Sequence, residues 1–101
     1  MKKGGITMQL YMIRRPSAWA NQAELEKTAD ISARVGNEDM PDKVRWIRSY
    51  VLNEQDGRLG TCCIYEAVDE EALREHARSV GMPGDDILPI GATVVVRPDP
   101  S

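Results

Sequence analysis

The pair Asp56-Gly57, at the centre of the stretch NEQDGRLG, constrains this chain more than any other feature. An Asp-Gly step readily takes the left-handed backbone of a tight turn, so the runs on its two sides are expected to pair antiparallel as a hairpin. Upstream, Val44 to Leu52 (VRWIRSYVL) alternates, with Ile47 and Val51 on one side and Trp46, Arg48 and Tyr50 on the other. Downstream, Thr61 to Ala67 (TCCIYEA) supplies the partner strand.

A helix pattern flanks each arm of the hairpin. In NQAELEKTADISARVG, Asn21 and Glu24 have the spacing of a capping box. Leu25, Ala29 and Ala33 recur at helical spacing before Gly36 closes the segment, which makes about four turns. After the hairpin, Asp69 caps a helix from Glu70 to Val80 whose acidic residues fill the first turn, and Gly81 with Pro83 ends it. Met8 to Arg15, stopped by Pro16, is the first strand; Ile87 to Val96, with interruption points at Pro89 and Gly91, is the last. The order β-α-β-β-α-β predicts an α+β fold, a ferredoxin-like sandwich with a four-stranded antiparallel sheet and both helices on one face. The domain is expected to span 8–97, with 1–7 a flexible leader and 98–101 a flexible tail.

A length of 101 residues with 42% hydrophobic content suits one core and no more. Thirteen basic against sixteen acidic residues, without a basic run, exclude a nucleic-acid footprint. The apolar run Leu10 to Ile13 stops at Arg14 and Arg15, too short for a signal peptide or a membrane span. Two adjacent cysteines cannot form the bridge framework of a small secreted domain, so a cytoplasmic location with reduced thiols is expected. Two helices cover one sheet face only, yet LYMI, CCIY and TVVV are apolar on both. Something must cover the second face, and a second copy in a two-fold homodimer does so most simply.

Both cysteines and the single histidine fall within GTCCIYEAVDEEALREHA. Neighbours on a strand point to opposite faces, so Cys62 and Cys63 are not expected to converge on one ion. His76 falls inside the apolar arc of the second helix with Ala72, Leu73, Ala77 and Val80, and needs a buried polar partner. Glu66 at the end of the third strand is the candidate. If it shares a face with Cys62 and Ile64, then Cys63 and Tyr65 point to the outer side with Trp46, Arg48 and Tyr50. That surface is either a subunit interface or the wall of a ligand pocket. His76 and Glu66 are either a satisfied structural pair or a base with its orienting carboxylate. Arg14 and Arg15 offer an anion contact at the strand end, but read first as a solvated pair. DMPD and MPGDD lack the spacing of a calcium loop.

WIRSYV, CIYEA and REHA, in this order and spacing, resemble a family of small bacterial ferredoxin-like domains of unknown function whose best-described members are nickel-binding proteins. The resemblance runs from about Met8 to Val96 and implies a dimeric α/β barrel and a nickel or other divalent metal site. Nickel-binding members are richer in histidine, and only His76 carries over as a metal ligand here, which leaves too few donors unless two copies share a site.

Two functional readings follow from the sequence. One is a homodimer that binds a small molecule or a divalent metal in or beside the barrel, with His76, Glu66, Trp46, Arg48, Tyr50, Cys63 and Tyr65 as candidate residues. The alternative is a cofactor-independent enzyme of isomerase or monooxygenase type, with His76 as general base.

Overall fold

A sheet in the order β2-β3-β1-β4, antiparallel at every pairing, organises the chain, and two helices pack on one of its faces. The computed structural model describes residues 7–100, so all of the expected leader except Thr7 lies outside the described residues. The elements are β1 (Gln9–Trp19), α1 (Gln22–Arg34), β2 (Val44–Asn53), β3 (Leu59–Ala67), α2 (Glu70–Val80) and β4 (Asp86–Pro89). This is the expected α+β arrangement, and it fits a ferredoxin-like fold.

The helix ends form as their residues dictate. Asn21 Oδ1 accepts from the Glu24 backbone N–H at 3.0 Å, and Glu24 Oε1 reaches back to the Ala20 N–H at 2.8 Å. Asp69 caps α2 through the Ala72 N–H at 2.8 Å. Gly81 closes α2 with φ 86°, a left-handed conformation that costs glycine no side-chain clash. Gly57 turns the hairpin with φ 84°, and Asp56 Oδ1 accepts from the Arg58 N–H at 2.9 Å.

The core lies between sheet and helices. Ile13 and Leu73 are fully buried, with Tyr11, Val44, Tyr65 and Ala67 packed around them. Each such large apolar side chain contributes about 1.5–3 kcal/mol through removal from water.

Four expectations are corrected. First, β1 does not stop at Pro16. It continues to Trp19 through a bulge in which Pro16, Ser17 and Ala18 stand opposite Gly60, because the pairing passes from Arg15↔Thr61 to Trp19↔Leu59. Ser17 takes φ 51° there, Arg58 Nε holds its carbonyl at 2.8 Å, and a Cβ on Gly60 would sit 2.9 Å from the Arg15 carbonyl. Second, Gly36 does not close α1, since the chain goes on through one π-helical turn, Val35–Asp39. Third, β4 is only Asp86–Pro89; the Ile90 N–H still donates to the Leu10 carbonyl at 2.9 Å, but Val94, Val95 and Val96 lie outside the sheet and exposed.

Fourth, the faces of β2 and β3 differ from expectation. Thr61, Cys63, Tyr65 and Ala67 of β3 are buried on the helix side, so Cys62, Ile64 and Glu66 take the open face. In β2 the pairing passes from Trp46↔Tyr65 to Arg48↔Ile64, leaving Ile47 as an unpaired extra residue. This one-residue bulge reverses the alternation. Trp46, Ser49 and Val51 lie on the helix side, and Arg48, Tyr50 and Leu52 on the open side.

Candidate functional site

Strand β1 sends Tyr11, Ile13 and Arg15 toward the helices, and Arg15 is 1% exposed there. Its guanidinium is anchored from two sides. Nε donates to the Pro83 carbonyl at 2.5 Å, in the loop after α2, and Nη1 donates to Cys63 Sγ at 3.3 Å. Nη2 has no hydrogen-bond partner among the described residues. A guanidinium cannot lose its charge in a protein, and burying an uncompensated ion costs roughly several kcal/mol.

Beside Arg15 lies a cavity of about 260 Å³ between the sheet and α1. Arg15, Thr61 and Ser32 are polar residues of its wall; Trp19, Trp46, Leu25 and Val51 are among the apolar ones. Trp46 and Val51, 38% and 47% exposed, mark an opening at edge strand β2. Both tryptophans of the chain line this one cavity. The register explains the polar end: Thr61 is the cross-strand partner of Arg15 and shares its face. Thr61 Oγ1 and Ser32 Oγ are buried and, like Arg15 Nη2, make no hydrogen bond among the described residues. Buried polar groups ordinarily find partners, so three unpartnered ones on residues of one wall single it out as the candidate site.

Tyr65 connects this wall to the rest of the core. Its ring stacks on Trp46, its cross-strand neighbour, at 6.5 Å, and the Arg15 guanidinium carbon lies 5.9 Å from the ring centre. Burial pushes the Tyr65 phenol above its ordinary range, with the Arg15 cation opposing. The phenol is therefore neutral at pH 7.

His76 is 1% exposed and is not among the cavity residues. Its Nε2–H donates to the Ser32 carbonyl at 3.1 Å, and its ring meets Tyr65 edge-on at 5.7 Å. Burial holds its pKa below the ordinary value, and the Arg15 cation acts in the same direction against the Ser32 carbonyl. The ring is thus neutral, with Nδ1 buried and unpartnered. Glu66 is elsewhere. It faces its cross-strand neighbour Arg45 on the open side at 3.7 Å.

Of the residues singled out from sequence, the cavity brings together Trp46, Cys63 and Tyr65, while Arg48 and Tyr50 sit on the open face. There both hold Asp99, at 2.9 and 2.6 Å. This contact holds the acid of Asp99 below its ordinary range, the Tyr50 hydrogen bond being the largest cause. The sequence reading missed Arg15, Thr61, Ser32 and Trp19 as wall residues. For Arg15 a signal existed. Adjacent arginines on a strand face opposite ways, so with one face covered by helices Arg14 and Arg15 cannot both be solvated.

The sequence profile of the family described as nickel responsive protein SCO4226-like matches residues 11–90. The chain belongs to the SCO4226-like family. The match runs from Tyr11, within β1, to one residue past the end of β4 and hence takes in every wall residue of the cavity. Comparison with curated proteins and with solved structures yields no match.

Nickel, which the name of the SCO4226-like family implies, needs several nitrogen, oxygen or sulfur donors converging on one point. No three His, Cys, Asp or Glu side chains do so among the described residues. His76 has one nitrogen committed to a carbonyl and a cation nearby, and Cys63 is in contact with that same cation. Within one protomer these residues do not fit a nickel ion. No helix among the described residues is long and apolar enough to cross a membrane.

Proposed function

We propose that this member of the SCO4226-like family is a small-molecule-binding protein of the cytoplasm, that its ligand occupies the cavity between the sheet and α1, and that it works as a homodimer. The carrying observation is the 260 Å³ cavity with a buried guanidinium and two unpartnered hydroxyls on its wall. A volume just under the usual range of about 300–1,000 Å³ for ligand pockets calls for a small ligand.

The homodimer is supported by the open face. Tyr50, Leu52 and Leu88 are each more than 40% exposed there, at 42%, 42% and 46%, beside half-buried Met12 and Ile64. The same chain presents Val94 to Val96 at 70–89% exposure, an apolar strand-forming segment without a sheet. A second copy supplies an apolar surface for both at once, closing two sheets into a dimeric α/β barrel. Two free cysteines agree with a reducing compartment. A nickel response in this chain rests on the family description, and the ion would take its donors from both copies.

Tryptophan fluorescence tests the ligand reading directly, because Trp19 and Trp46 are the only reporters and both line the cavity. Titration with a panel of single-ring compounds is expected to give saturable quenching by at least one. No response from any ring compound at millimolar concentration overturns the reading. Native mass spectrometry after nickel soaking tests the metal: uptake of one ion per dimer, lost in His76→Ala, would support a shared site, and no uptake removes it.

A further inference from the structure

The polar end of the cavity has a definite charge, and this defines the ligand more narrowly. Arg15 is the sole charged residue lining the cavity, and no carboxylate forms an ion pair with it among the described residues. Its Nε and Nη1 are in use, while the two hydrogens of Nη2 are free. Thr61 Oγ1, on the neighbouring strand, and Ser32 Oγ, on α1, likewise make no hydrogen bond among the described residues, although the Tyr65 phenol lies beside Ser32 and Arg15. One fixed positive charge and two hydroxyl donors match a group with a single negative charge and two acceptor oxygens. A phosphate dianion would bring a second charge that no lining residue neutralises.

The remainder of the wall is apolar and aromatic. Trp46 stacks on Tyr65, and Trp19 is turned to the same side by the bulge after Arg15. An apolar cavity of about 150 Å³ accepts benzene, so 260 Å³ accommodates one ring with a short substituent. We propose that the cavity takes a small aromatic or cyclic organic acid, its carboxylate received by Arg15 Nη2, Thr61 Oγ1 and Ser32 Oγ, its ring against Trp46 and Trp19. This inference rests on the cavity reading of the preceding section and adds the ligand class to it.

Benzoate and its uncharged isostere benzamide separate the two. In the full chain, benzoate is expected to quench tryptophan fluorescence with an affinity about tenfold or more above that of benzamide. Arg15→Met should abolish this preference, benzoate falling at least to the affinity of benzamide. Thr61→Val, close to isosteric, should reduce benzoate affinity a few-fold, by more than it reduces that of benzamide, and it carries the test if Arg15→Met does not fold. Equal affinity for the two probes in the wild type overturns the acid and leaves the cavity reading standing, as does a benzoate preference that survives both substitutions. Binding of neither probe, nor of any compound in the ring panel, overturns both.

Discussion

The two faces of the sheet treat charge in opposite ways. On the open face, Arg14 pairs with Asp86 at 3.3 Å, Arg45 with Glu66 at 3.7 Å and Arg48 with Asp99 at 2.9 Å. On the covered face Arg15, 1% exposed, has a carbonyl, a thiol and an aromatic face, but no carboxylate among the described residues. Exposed pairs add at most about 1 kcal/mol each, because water screens them. A lone buried cation is costly instead. Among the described residues, charge on the open face is therefore paired, and the buried cation of the covered face is not.

This contrast can be broken at several points. The largest expected effect is on the covered face: Leu73→Ala and Ile13→Ala, both at positions with 0% exposure, should each cost about 2–5 kcal/mol in urea denaturation. Leu88→Ala, 46% exposed on the open face, should cost less than about 1 kcal/mol in the monomer. Similar losses at all three would mean that the faces are not distinct.

Next comes Ile64→Asp, in the middle of the open face. If this face joins two copies, the variant should sediment as a folded monomer at concentrations where the wild type is a dimer, a weakening of about a hundredfold or more. An unchanged dimer would place the interface elsewhere.

Arg15→Met should cost no stability and is expected to gain about 1 kcal/mol, since an apolar chain of similar length replaces an unpaired buried charge. A loss above about 2 kcal/mol would make the guanidinium a structural element, held by the Pro83 carbonyl and Cys63 Sγ. The smallest effect concerns pH. His76 has a lowered pKa in the folded chain, so the unfolded chain binds the extra proton first as pH falls. Its contribution is fully present above about pH 6.5 and is lost progressively below it. Thermal melts from pH 7 to pH 5 should show a steeper loss for the wild type than for His76→Gln, and parallel curves would show the ring to be reached by solvent.

Legibility followed the range of the interaction responsible. Asn21, Asp56, Asp69 and Gly81 act on backbone groups within four residues, and each does what its type and spacing imply. The stripe of α2 was equally readable, because Ala72, Leu73, His76 and Ala77 lie on one side of a single helix. The site was readable only in part. Trp46, Cys63 and Tyr65 stood out by composition, but the alternation VRWIRSYVL gave no warning that Ile47 would be bulged out, and so placed Trp46 with Arg48 and Tyr50. Arg15 was hidden by its neighbour Arg14, an ordinary solvated partner by type.

The element order, the hairpin and the helix caps were determined by the sequence alone, since each depends on contacts between residues close along the chain. The absolute orientation of β3, the reversal in β2 and the burial of Arg15 were decided by the tertiary structure. Strand periodicity says which residues share a face and never which face it is, and where both faces are apolar only packing against the helices chooses between them.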